Sequence, residues 1–431
     1  MQAFVPRVAL QAKPPTRNAT ASKIQHVVIV VQENRSFNNL FYGFPGAKTV
    51  KYGYDTGNKK IELKPIPLET QWDVEHSADG FFYSCNGTGS IPGTNCQMNG
   101  FNKEWVQCGQ PPYPKCPTKN PQYSYVPASE TKPYFAIAKQ YVLADQTYSS
   151  DFDESSFVGH QYLIAAQGAQ SANYPNGEWG CEGGGGDAVP TVGPQRQVPY
   201  GHEVPCFNDT SLGQEADDAG VSWAFYTGAL GGQGGIWSAY QANSYVYNGA
   251  DWKSDIVTPQ TQFFTDVSNG ALRQINWVTP TCKNSDHAGC GSNTGPMWVA
   301  SIVNAIGQSK YWNNTAIFII WDDPGGWYDS EPPAYADYDG LGIRVPLLIV
   351  SAYAKQGYVS HVHYEHASIL SFVEDVFGLP RLAASDKRAK SPEKDAFDFK
   401  RPPRPFKVIP SALGKEYFLR QPPDLRPPDN D

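Results

Sequence analysis

The stretch IQHVVIVVQENR, Ile24 to Arg35, decides how the chain folds. Ile24 to Val31 is short, β-branched and almost continuously apolar, the pattern of a strand buried on both faces rather than one alternating between core and water. It then stops on four polar residues, Gln32-Glu33-Asn34-Arg35. Ala316 to Trp321 (AIFIIW) ends the same way at Asp322-Asp323-Pro324-Gly325-Gly326, and Val345 to Val350 (VPLLIV) ends at Ser351. Tyr141 to Ala144 and Gln274 to Val278 read as further strands. Ser156 to Ala166, Met297 to Gln308 and His366 to Phe377 read as helices, the last with apolar residues at Ile369, Leu370, Phe372, Val373 and Val376. Strands alternating with helices predict an α/β fold, a mainly parallel sheet with helices on both faces.

At 431 residues the chain is long for a single core, and one large domain carrying insertions is the expected organisation. The 36 prolines and 40 glycines point to long irregular connections. Segments 46–132 and 173–226 lack the strand and helix rhythm and hold six of the eight cysteines, so they read as insertions over the sheet edge. The domain then runs over 23–383, after an N-terminal arm, 1–22, and before a surface-hugging or flexible tail, 384–431. An even cysteine set without a CxxC reads as disulfides rather than a zinc site, and it implies an oxidising compartment. Pairing of sequence neighbours is one of roughly 105 connectivities. The chain shows no charged start followed by an apolar run, as expected if a secretory leader has been removed. Sequons at Asn18, Asn86, Asn208 and Asn313 suit a secreted or periplasmic protein. A net charge of −8, spread along the chain, argues against nucleic acid as a partner. No apolar run approaches the roughly 20 residues of a transmembrane helix. The oligomeric state is not legible.

Ligands of an open parallel sheet bind outside the carboxyl ends of its strands. Glu33 follows one predicted strand, and Asp322 with Asp323 follows another, so three carboxylates converge on one rim. Alone they would raise each other's pKa, whereas a hard divalent cation turns that repulsion into binding. The competing reading is that these acids cap helices and that Asp-Asp-Pro-Gly-Gly is a plain turn. Asn34 and the Gly325-Gly326 pair favour a site, since glycines let backbone approach a ligand closely.

HVVIVVQENRSFNNLFYG at His26 to Gly43 resembles the opening motif of the phosphoesterase family that contains bacterial non-haemolytic phospholipases C and secreted acid phosphatases. Four further blocks resemble it in order: VLADQTYSSDFDESSFVGHQYLIAAQ from Val142, WVTPTCKNSDHAG from Trp277, WDDPGGWYDSEPP from Trp321, and the stretch from Gly342 to Pro380. The resemblance spans Ile24 to Pro380 and leaves the cysteine-rich insertions poorly matched. It implies an alkaline-phosphatase-like α/β sandwich with one divalent cation held by Glu33, Asn34, Asp322 and Asp323, together with the hydroxyl of Ser156. It also implies that Ser156 is the nucleophile of a phosphoseryl mechanism, although Ser155 is adjacent. His76 in DVEHS and His287 in NSDHAG resemble family histidines that face the phosphate.

His160 is open between support of the site and packing, and His361, His363 and His366 receive no catalytic role. The family's ENRSFD is ENRSFN here, with Asn38 for an acid. Its aspartate-glutamate pair is Asp322-Asp323, and GGWYDH is GGWYDS, with Ser330 for a histidine. The implied activity is phosphate-ester hydrolysis of the acid-phosphatase type on a small phosphate ester. The alternatives are a phospholipase C acting on phospholipid headgroups and, from another class, a secreted glycan-binding or adhesive protein.

Overall fold

A computed structural model describes residues 23–175, 180–228, 230 and 236–422. The arm 1–22, with its sequon at Asn18, and the end of the tail, 423–431, lie outside the described residues. Eight strands form one sheet: β1 (His26–Gln32), β2 (Val142–Ala144), β3 (Trp223–Tyr226), β4 (Ile256–Val257), β5 (Ile275–Val278), β6 (Thr315–Trp321), β7 (Leu347–Ser351) and β8 (Tyr358–Ser360). Their order is β4-β3-β5-β1-β6-β7-β2-β8. All neighbours pair in parallel except at β7, which runs antiparallel to both β6 and β2. The Val345 run therefore ends at the opposite rim from the acids, where the Ser351 hydroxyl donates to the Thr315 carbonyl at 2.9 Å.

Every residue of β6, and every residue of β1 after His26, is buried, so both faces of the sheet are covered. The cover comes from two packed groups of helices. The helix α2 (Lys132–Gln140) packs on α4 (Gly295–Gly307), while α3 (Ser156–Ala165) packs on α5 (Ala367–Phe377), and a short α1 (Phe37–Phe41) follows β1. The tail hugs this core: Phe397 stacks on Phe372 at 5.1 Å, and Ile409 and Phe418 are buried. Four disulfides join sequence neighbours, Cys85–Cys96, Cys108–Cys116, Cys181–Cys206 and Cys282–Cys290.

Three strands departed from expectation. The four residues of β3 close the segment that reads as the second insertion, yet they belong to the central sheet. Their composition, WAFY, is aromatic rather than β-branched and too short to show a period. The same brevity hides β4 and β8.

All ten residues of α3 are buried, and its Gly159 lies against the loop leaving β6. A Cβ on Gly159 would sit 2.6 Å from the Asp322 carbonyl oxygen. Gly159→Ala should therefore push the helix off that loop at a cost of about 1–3 kcal/mol. Chemical denaturation will measure it, and an unchanged midpoint would contradict the packing described.

Burial, and then hydrogen bonding to Asp386, push the Glu374 carboxyl on α5 up to about 9, while Arg381 pulls it back. In the folded chain Glu374 thus keeps a proton that the unfolded chain releases near its ordinary value of 4.5. Folding binds that proton, so this group makes stability fall as pH rises from about 4.5 towards 9. Glu374→Gln should flatten the fall, as read from melting temperature against pH, and an unchanged slope would count against it.

Candidate active site

Because β1 and β6 are parallel neighbours in the register Gln32↔Trp321, the residues after them leave the sheet side by side. Asn34 takes a left-handed φ of 58°, and its N–H donates to Asp322 Oδ1 at 3.1 Å. Its side-chain amide donates to Asp323 Oδ2 at 3.0 Å and to Ser156 Oγ at 3.1 Å. The Ser156 hydroxyl donates in turn to Asp323 Oδ2 at 3.1 Å. Ser156 opens α3, whose start carries no side-chain cap. Ser155 turns its hydroxyl to the Asn173 carbonyl at 3.1 Å, so the serine among the acids is Ser156. One turn further along, His160 Nε2 lies 3.0 Å from Glu33 Oε1 and 3.6 Å from Asp322 Oδ2. The structure thus brings Glu33, Asn34, Ser156, Asp322 and Asp323 together, and adds His160.

The expectation for Gly325-Gly326 needs correcting. Both have positive φ, but what they approach is protein: an added Cβ would lie 2.3 Å from the Asn34 carbonyl oxygen at Gly325 and 2.4 Å from that of Glu75 at Gly326. They dock the acid loop onto the Glu33-Asn34 turn and onto the DVEH segment. The plain-turn reading holds in part as well, since Asp323 Oδ1 accepts the Gly325 N–H at 2.7 Å while Oδ2 serves the site.

His76 and His287 come together from distant segments, with ring centroids 5.4 Å apart, and Asp73 joins them, its Oδ2 3.5 Å from His287 Nδ1. The side chain of Gln32, the last residue of β1, pins the His287 loop by accepting the Asp286 N–H at 3.0 Å and donating to the Asn284 carbonyl at 3.2 Å. Arg35 adds a bond to the Asp286 carbonyl at 2.8 Å. Cys282–Cys290 closes the same loop. The Trp237 ring links the two groups, parallel to His160 at 6.5 Å and tilted against His287 at 5.8 Å.

Burial raises the carboxyl of Asp322 well above its ordinary value, with Glu33 raising it further, and Asp323 is raised by burial and then by Asp322. Asn34 Oδ1 and Asp322 Oδ2 are buried with no hydrogen-bond partner among the described residues. Crowded carboxylates, a spare amide oxygen and an imidazole form a donor set that fits a divalent cation. Glu33, His160 and Asp322 offer donor atoms within 4.8 Å of one another, as do Asp73, His76 and His287.

The other flagged residues lie outside this arrangement. His366 donates from Nε2 to the Trp321 carbonyl at 3.0 Å, bracing the end of β6, and burial lowers its pKa to about 4. His361 pairs with Asp145, and His363 stacks on Tyr148. Asn38 accepts the Val50 N–H at 2.8 Å and donates to its carbonyl at 3.4 Å, a two-way bond that an ionised acid could not make. The Ser330 hydroxyl makes no hydrogen bond among the described residues. Sequence reasoning missed Asp73 and Trp237. The only signal for Asp73 was its place three residues before His76, and Trp237 gave none.

Fold and site together define a class of α/β proteins that gather donors for a cation beside a hydroxyl at the carboxyl ends of parallel strands. Within it, the chain belongs to the Phosphoesterase family, whose model matches residues 24–380. It is similar to the non-hemolytic phospholipase C of Burkholderia pseudomallei, 23% identical over 489 residues that cover 96% of this chain and 65% of that protein. The hemolytic phospholipase C of Pseudomonas aeruginosa is 24% identical over 86% of this chain and 55% of its own length. Phospholipase C B of Mycobacterium tuberculosis is 25% identical over 89% and 79%. The chain spans only 55 to 65% of the first two relatives. Among solved structures, a protein in the alkaline phosphatase superfamily from Vibrio parahaemolyticus aligns with 83% of this chain and 68% of its own, at TM-score 0.40 and 9% identity.

Freeing the His287 loop with Cys282→Ala and Cys290→Ala together should lower stability by about 2–3 kcal/mol, the entropy of a short closed loop. Urea unfolding of the oxidised protein and the variant compares them directly. Equal midpoints would show that the loop is held without its disulfide.

Proposed function

We propose that this chain hydrolyses phosphate esters with Ser156 as nucleophile, at one divalent cation held by Glu33, Asn34, Asp322 and Asp323 with the Ser156 hydroxyl beside it. One observation carries the reading: the Ser156 hydroxyl is hydrogen-bonded to both Asn34 and Asp323 inside a buried acid group. A bound cation there supplies positive charge that lowers the pKa of the serine hydroxyl and polarises the phosphoryl group. Asp323 Oδ2 orients the Ser156 O–H, and the uncapped start of α3 offers N–H groups to phosphoryl oxygens. Ser156 Oγ bonds to phosphorus as the ester P–O bond breaks, its own proton passing to Asp323 Oδ2, and the departing oxygen takes a proton from His76 or His287. Water then cleaves the phosphoseryl bond, releasing phosphate and restoring the hydroxyl.

The preferred substrate is a small phosphate monoester, of the kind an acid phosphatase takes. The names of the relatives support a second reading, a phospholipase C acting on phospholipid headgroup diesters. Four disulfides favour a secreted or periplasmic location, and no helix among the described residues is long and apolar enough to cross a membrane. Turnover of an aryl phosphate against its choline diester separates the two readings. Ser156→Ala should cut kcat/KM by at least about a thousandfold on whichever is the substrate, with the melting temperature little changed. Phosphatase signals left intact by both Ser156→Ala and Asp322→Asn would end the enzyme reading of this site.

A further inference from the structure

We infer that Glu104 and Glu154 clasp a hard divalent cation of calcium's kind, which ties the insertion 46–132 to the loop that carries Ser156. The two residues are 5 and 1% exposed, and all four of their carboxyl oxygens lack a hydrogen-bond partner among the described residues. Neither forms an ion pair there. Buried polar groups are almost always paired, and a buried charge is neutralised or coordinated, so two such carboxyls side by side call for a cation. The group at Asp322 carries the same mark, a buried carboxyl oxygen without a partner.

The chain brings the pair together from two directions. Val74 bridges Val106, the Glu75 N–H donates to the Trp105 carbonyl at 2.9 Å, and the Trp105 N–H donates to Glu75 Oε2 at 3.0 Å. Glu104 therefore rides on a segment laid along Glu75 and His76. Glu154 comes from the loop before α3, where the Ser155 N–H donates to Asp153 Oδ1 at 3.0 Å. Burial raises the Glu104 carboxyl well above its ordinary value and Glu154 raises it further, while His76 opposes the rise at both glutamates.

Gln122 adds an independent donor. Its Nε2 donates to the Glu104 carbonyl at 3.0 Å, which turns the amide head towards Glu104, and its Oε1 is buried without a partner on a residue 3% exposed. Two carboxylates and an amide present oxygen only, the donor set of a hard ion rather than of zinc. Calcium accepts carboxylates through both oxygens and completes its shell with water, whereas magnesium demands a tighter octahedron. The disulfides Cys85–Cys96 and Cys108–Cys116 both close within the insertion, so neither fastens it to the Ser156 loop. A cation between Glu104 and Glu154 does, and it holds the His76 segment at a fixed place beside Ser156.

The test uses the full chain carrying Asp322→Asn, which weakens the acid group at the sheet rim, stripped with a chelator and titrated with Ca²⁺ alone by calorimetry. About one equivalent should bind, and the melting temperature should rise with Ca²⁺. Glu104→Gln and Glu154→Gln, each added to Asp322→Asn, should bind none and lose the rise. In chelator both should melt no lower than their parent, since a neutral amide replaces an unpaired buried carboxyl. No Ca²⁺ bound by the Asp322→Asn protein at millimolar concentration overturns the inference without any change at the glutamates, as expected of a pair that only shares a proton. Binding undiminished by both glutamate substitutions overturns it as well. Cation binding is read without turnover, so its failure leaves the proposed function untouched.

Discussion

The parallel pairing of β1 with β6 is the constraint on which the rest of the molecule depends. Two strands in the register Gln32↔Trp321 deliver Glu33 and Asn34 beside Asp322 and Asp323 without any loop having to search for its partner. A one-residue slip would turn every side chain over and send the acids to opposite faces of the sheet. Contacts at the strand ends hold the register, the Asp322 N–H donating to the Gln32 carbonyl at 3.0 Å and the Asn34 N–H to Asp322 Oδ1 at 3.1 Å. Gln32 extends the same control to the His287 loop, and Gly159 lets α3 settle directly on the Asp322 backbone with Ser156 at its start.

What the sheet assembles is electrostatically unfavourable on its own. Carboxylates with negligible exposure, each raising the next, are a cost that an apolar core of this size offsets but does not remove. The His76 and His287 side is the opposite case, with imidazoles tied to backbone carbonyls. On the proposed function, a cation bound among the carboxylates would offset that repulsion, and a phosphoryl group would lie between it and the two imidazoles, with the Ser156 hydroxyl on the acid side.

Much of this was legible in the sequence because the decisive strands are long and uninterrupted. β1, β6 and the helices from Ser156 and His366 were readable within a residue or two, since burial on both faces leaves a continuous apolar run and the last helix leaves a helical period at Ile369, Leu370, Phe372, Val373 and Val376. Three short strands were not readable: two to four residues carry no period, and WAFY in β3 looks like any aromatic patch in a loop. The glycine pair after Asp323 was read as serving a ligand, yet its partners are the backbones of Asn34 and Glu75, which no local pattern could reveal. Asp73 escaped for a related reason, because the segment that bears it has no regular structure and is placed by contacts with remote loops. His160 was ambiguous until helix and strand were seen together, since a histidine at i+4 from a serine shares its face whatever that face does.

The central claim is that the sheet gathers these acids around a cation, and anomalous scattering from crystals soaked in Mn²⁺ tests it most directly. The account predicts a peak with oxygen atoms of Glu33, Asp322 and Asp323 about 2.0–2.6 Å away and Ser156 Oγ at its edge. Fully soaked crystals with no peak among these side chains, or with the ion bound only elsewhere, would contradict it.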